Sequence, residues 1–222
     1  MFVGHFAIAF GAKRFAPVVS LGTLFLACQF ADLLWPVLLL LGVEQVQIAP
    51  GITAVTPLDF VSYPYSHSLM ALVIWAALAA VVYQVVRGWR LPAMLTVAAL
   101  VISHWLLDAV THRPDLPLTV GGETLVGLGL WGSVTGTVVV ELLLFAAGVA
   151  MYVRQTAPRD RTGAVAFWVL VGFLLLVWLA NIFGPPPPSA SAVAWSVQAM
   201  WLLVAWGYWI DRHRVPRLAA RL

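Results

Sequence analysis

The chain has 222 residues, of which 62% are hydrophobic and only 9% charged, and its net charge is +3. Soluble domains are about a quarter charged, so this composition, with a mean hydropathy of +0.95, excludes an ordinary soluble domain, a disordered chain and a nucleic-acid-binding module. It is the composition of a polytopic membrane protein, and the length suits about six spans of roughly 20 apolar residues each.

Phe2 to Gly11 is apolar but too short to span a bilayer. Lys13 and Arg14 follow this run, whereas a signal peptide carries its basic residues in front. At about 1.5 Å per residue a helix here reaches roughly halfway through the membrane. The reading is a half-length helix that carries His5, starts near mid-membrane and exits at Lys13. A helix lying flat in the interface is the alternative.

The first long stretch, about 18–42, carries Asp32 and, four residues on, Pro36. Proline lacks an N–H, so the spacing predicts a kink that frees the Asp32 carbonyl. Cys28 lies one turn before Asp32; it permits no internal disulfide and reads as a small buried hydrophobe. A long loop, 43–65, follows. The second stretch, 66–86, opens at Ser66-His67-Ser68, where Ser66 reads as the N-cap and His67 as first-turn. The third, 91–111, holds His104 and Asp108; with His112 just beyond, these are spaced i, i+4, i+8 on one helical face. The 112–130 loop begins Arg113-Pro114-Asp115. Spans at 131–153, 162–183 and 190–210 complete the set, and Glu141 lies near the middle of the first of these. Short joints at 89–91 and 154–161 predict antiparallel helix pairs. Pro185–Pro188 reads as a stiff link.

Placing the charges fixes an orientation. Eleven of the twelve Lys and Arg residues fall at one set of alternate ends: Lys13, Arg14, Arg87, Arg90, Arg154, Arg159, Arg161, Arg212, Arg214, Arg217 and Arg221. The other ends hold only Arg113. By the positive-inside rule both termini are cytoplasmic, and the 43–65, 112–130 and 184–189 loops face outward.

Ionisable groups inside spans cost at least about 2.5 kcal/mol each at the centre for Asp, which makes them functional candidates. Here they cluster. Imidazole and carboxylate are ligands of zinc and related ions, and His67, His104 and Asp108 all lie toward the outer face. Asp32 and His5 complete a shell around them. A hydrogen-bonded pair without metal is the plainer reading of His104 and Asp108. Arg113 suits an anionic substrate group, with a local Arg113–Asp115 pair as the alternative, and His112 is a second substrate-side candidate.

Four short elements in order carry a family resemblance: Gly4-His5, Ala31-Asp32, Ser66-His67-Ser68-Leu69 and Ser103-His104-Trp105-Leu106-Leu107-Asp108. Together they resemble the bacterial inner-membrane family called membrane-bound metal-dependent hydrolases, itself distantly similar to zinc-dependent phospholipase C-like proteins. The likeness covers about residues 1–115. The family's proline before the first acid is Phe30 here, its second acid would fall at Leu34, and the histidine of its HRG element would fall at Ser62. One metal therefore suits this chain better than two.

The expectation is a single all-α integral-membrane domain over 1–222, with about six transmembrane helices plus the half-helix. Its first 115 residues carry the site, and 131–210 add further membrane helices. The resemblance implies a multi-pass protein of the bacterial inner membrane and a metal-dependent hydrolase. Its metal is a divalent ion, Zn²⁺ first and Mn²⁺ or Fe²⁺ as alternatives, bound by His5, Asp32, His67, His104 and Asp108. Asp32 is the carboxylate placed to act as general base if it is not a ligand. Partners are membrane lipid and a lipid or lipid-linked phosphoester substrate, with no nucleic acid. The rival readings are a metal-ion or proton transporter and a non-catalytic membrane protein.

Overall fold

The computed structural model describes residues 1–217; Arg221 lies outside the described residues. Helices dominate. They are α1 (Val3–Ala12), α2 (Leu21–Cys28), α3 (Phe30–Leu40), α4 (Pro64–His67), α5 (Leu69–Arg87), α6 (Leu91–Thr111), α7 (Val134–Gln155), α8 (Arg161–Phe183), α9 (Ala190–Gln198) and α10 (Met200–Arg212). Among the described residues five helical stretches are long and apolar enough to cross a membrane, counting Ala190–Arg212 as one. The bent pair α2–α3 makes a sixth. The outer surface is apolar as well. On α5, Val73, Ile74, Leu78, Val81 and Val85 are all exposed, the face a soluble helix would make polar.

The half-helix is internal. Nine of the ten α1 residues are buried, which sets aside the flat interfacial helix. α1 runs along α7, α2 and α6. Its approach to α7 is close because Gly148 has no side chain: a Cβ there would lie 2.3 Å from the Ala7 carbonyl oxygen. Small residues at such crossings are how membrane helices gain contact.

This wedge changes one expected pairing. α5 and α6 pack together across their short joint, but α7 lies chiefly along α1, while α8 packs on α10. The 154–161 joint is drawn away from a tight hairpin. Its strand β5 (Thr156–Pro158) pairs antiparallel with β6 (Arg214–Pro216) near the C-terminus.

The break in the first span is also displaced. α2 and α3 meet at 56°, and the break falls at Gln29, whose φ/ψ of −103°/11° leaves the helical region. Pro36 sits inside α3 without ending it. The reason for the displacement lies in the neighbouring helix. The Cys28 carbonyl accepts a hydrogen bond from His104 Nδ1 at 2.8 Å, in place of a bond within its own helix.

Two ribbons shape the other end of the bundle. β1 (Gln45–Ile48) and β2 (Leu58–Ser62) form a hairpin with a bulge between Gln45 and Gln47. β3 (Leu116–Pro117) pairs with β4 (Leu125–Val126). The N-cap of α5 is Ser68, which accepts from the Ala71 N–H, rather than Ser66. The Tyr63-Pro64 entry closes the separate turn α4 first, so His67 ends α4 instead of opening α5.

Candidate metal centre

His104 and Asp108 stand one turn apart on α6, His67 ends α4, and Asp32 lies in the first turn of α3, just past the break. The structure brings all four together. His67 Nε2 is 3.4 Å from Asp32 Oδ1 and 3.9 Å from Asp108 Oδ2. His104 Nε2 is 3.7 Å from Asp32 Oδ1 and 3.1 Å from Asp108 Oδ2. Two overlapping groups of three, Asp32–His67–His104 and His5–His104–Asp108, have donor atoms close enough to share a metal ion. His5 reaches the far oxygen of Asp108: its Nε2 is 3.1 Å from Oδ1, and its ring stacks on His104 at 3.8 Å. The Met1 amino group is 2.6 Å from the same Oδ1.

Outer partners decide which nitrogen of each histidine faces inward. A carbonyl only accepts, so the bond to Cys28 puts a proton on His104 Nδ1. Nε2 of His104 then carries a lone pair, and it has no hydrogen-bond partner although Asp108 Oδ2 is close. His67 is fixed through a relay. Buried Glu44 accepts from the backbone N–H of Tyr65 and Ser66 at 2.8 and 2.9 Å, and from Ser66 Oγ at 2.6 Å. The Ser66 proton thus goes to Glu44, and Ser66 Oγ accepts from His67 Nδ1 at 2.7 Å. Both imidazoles direct bare Nε2 atoms at two carboxylates. Holding a ligand histidine by its other nitrogen is the usual outer arrangement of metal sites.

Asp32, His67 and Asp108 of the cluster line a cavity of about 470 Å³, with Trp35, Phe60, His112, Trp131, Glu141 and Trp178. The turn at 50–58 and Pro185–Pro187 also line it. α8 and α9 contribute to this wall, so residues 131–210 are more than added spans. Glu141 accepts from the backbone N–H of Phe2 and Gly4, at 3.1 and 3.3 Å. It thereby satisfies the free N–H groups that begin a helix and fixes the depth of His5. The indole N–H of Trp35 is buried and without a partner, and that of Trp178 is buried beside Glu141.

The remaining candidates lie elsewhere. His112 lines the cavity but turns its Nδ1 toward Asp115, at 2.9 Å, outside the cluster. Arg113 does not enter the cavity. It borders a neighbouring recess, held by Asp59 at 2.5 Å and Asp115 at 3.0 Å. Cys28 is buried and its thiol donates to the Phe25 carbonyl. Glu44, Ser66, Trp35 and Trp178 were not singled out by sequence reasoning as site residues. No protein-family model matches the chain, and neither does any curated protein or solved structure.

Proposed function

We propose that the chain is an integral-membrane, metal-dependent hydrolase of the bacterial inner membrane, with cytoplasmic termini and a site open to the outer face. The observation that carries this reading is the convergence of two imidazole lone pairs on two carboxylates in a buried space. The Met1 amino group reaches only the far oxygen of Asp108; the inward oxygens of Asp32 and Asp108 and the two bare nitrogens repel one another without a further cation, and burying them so is costly. Four donors around a tetrahedral zinc ion, each roughly 2.0–2.1 Å from it, stand about 3.3 Å apart. The four imidazole–carboxylate separations here, 3.1 to 3.9 Å, lie around that spacing.

Asp32, His67, His104 and Asp108 would hold the ion, and His5 would support Asp108 from its other oxygen. The mixed histidine and carboxylate set suits Zn²⁺, with Mn²⁺ or Fe²⁺ as alternatives. When bound, the ion polarises the scissile bond and lowers the pKa of a coordinated water. The aromatic wall of the cavity supports a lipid or lipid-linked phosphoester, one of whose oxygens would take the free Trp35 N–H. The motif resemblance of the first 115 residues agrees with this reading.

The transporter reading lacks a route onward. Toward the other end of α1 the core is filled by Phe10, packed edge-on against Phe25, Phe145 and Phe167, with Tyr152 beside them. That aromatic packing supports a cavity closed at its floor.

Metal analysis of purified wild-type protein, grown with zinc and handled without chelators, tests the proposal. The expected result is about one zinc per chain. Absence of stoichiometric metal overturns it. The outer relay gives a finer test. Ser66→Ala removes the link between His67 and Glu44, and metal affinity should fall about 10–100-fold in a chelator competition. An unchanged affinity would show that His67 is not a ligand held in this way.

A further inference from the structure

His112 stands apart from the four donors yet lines the same cavity as Asp32, His67 and Asp108. Its ring is enclosed by Phe60, Tyr63 and Trp131, at centroid separations of 4.8, 5.9 and 4.5 Å. Nδ1 lies 2.9 Å from Asp115 Oδ1, and the Tyr63 hydroxyl donates to that same oxygen at 3.1 Å. The other oxygen of Asp115 is taken by Arg113 Nε at 3.0 Å, and Arg113 is held from beyond by Asp59. Asp115 therefore cannot turn away from the imidazole. A carboxylate accepts, so the proton between the two sits on Nδ1 and the lone pair on Nε2. Nε2 has no hydrogen-bond partner among the described residues and is the nitrogen left for the cavity. Burial is the main cause that holds His112 below its ordinary pKa. Burial alone would raise Asp115, but the hydrogen bond from His112 leads the contacts that bring it below its usual range.

We propose that His112 and Asp115 form the proton-transfer pair of this cavity, with His112 catalytic and Asp115 the residue that positions it. The proposal rests on the hydrolase reading and transfers the base role from Asp32, which faces the metal position. His112 caps α6 four residues beyond Asp108, and the two line the same cavity. In the reaction the water oxygen bonds to the phosphorus of the substrate while Nε2 takes one of its protons. The bond from phosphorus to the leaving oxygen breaks with its electron pair on that oxygen. The imidazolium then returns its proton there. One water is consumed, a phosphate ester is released with an alcohol, and His112 is restored.

The test uses full-length protein loaded with zinc, with bis(p-nitrophenyl) phosphate as the probe. Three quantities are read: the hydrolysis rate, the zinc content and the ¹⁵N shifts of His112. His112→Gln should lower the rate about 100- to 10,000-fold with zinc content unchanged. In the wild type His112 should show a protonated Nδ1 and a bare Nε2. Asp115→Asn should lower the rate and shift the proton toward Nε2, and Asp115→Glu should recover much of the rate. The assignment is overturned if His112→Gln keeps the wild-type rate, if it loses its zinc, or if the wild-type ring carries its proton on Nε2. Zinc-loaded wild type that does not hydrolyse the probe above buffer overturns the hydrolase reading itself and this assignment with it.

Discussion

Replacing His104 with alanine should lower metal affinity by at least about a hundredfold. That lower bound follows because losing merely an outer-shell partner already costs 10–100-fold. His104 is the donor common to both groups of three. Its imidazole is also the best fixed, with Nδ1 on the Cys28 carbonyl and one face against the His5 ring. Without it, the inward oxygens of Asp32 and Asp108 face one imidazole, that of His67, and His5 remains on the far oxygen of Asp108. The variant will also leave the Cys28 carbonyl unpaired at the α2–α3 break, so stability must be read alongside affinity. A ligand that binds only the folded state stabilises it by about 4 kcal/mol at a thousandfold excess over its Kd. Added zinc should therefore raise the melting temperature of the wild type in detergent and leave that of His104→Ala unmoved. Equal zinc content and an equal zinc-dependent shift in both proteins would remove His104 from the centre.

Why these residues could be read from the sequence at all is a matter of solvent. In lipid an ionisable side chain is costly enough to stand out, and Asp32, His104 and Asp108 are conspicuous inside apolar runs. Their helical spacing alone places His104 and Asp108 together. The spans were legible for the same reason. Glu44 was not, since an acid in a loop is ordinary, and its partner Ser66 lies 22 residues away with no periodicity linking them. The break at Gln29 carries no proline or glycine, and it exists because His104 competes for the Cys28 carbonyl from another helix. Pro36 was the visible signal and proved the weaker influence. Asp115 was legible as a neighbour of Arg113. Its bond to His112, three residues before it, needed the turn that follows α6.

The other large effect belongs to the opposite end of the bundle. Lys13 follows α1 and is buried, donating to the Val19 carbonyl at 2.7 Å and to Asp211 of α10 at 3.4 Å. Asp211 also accepts from the Leu21 N–H at the start of α2. This clamp ties the exit of the half-helix to two neighbours, while Glu141 holds its inner end. Removing one partner of a buried pair leaves the other charge uncompensated, which costs roughly 3 kcal/mol. For a chain of this size that corresponds to a fall of about 6–12 °C in melting temperature. Lys13→Met should show this loss. The double variant Lys13→Met with Asp211→Asn should recover most of it, because the neutral amide still accepts from Leu21 and no lone charge remains. A single variant that melts with the wild type, or a double variant no better than the single, would show that the pair is not energetically buried. Zinc content should stay near the wild-type value in both, since Lys13 lies eight residues along α1 from His5, about 12 Å away along the helix axis. Loss of zinc in the single variant would instead mean that the depth of α1 is set from this end, with His5 moving away from Asp108 as the clamp opens.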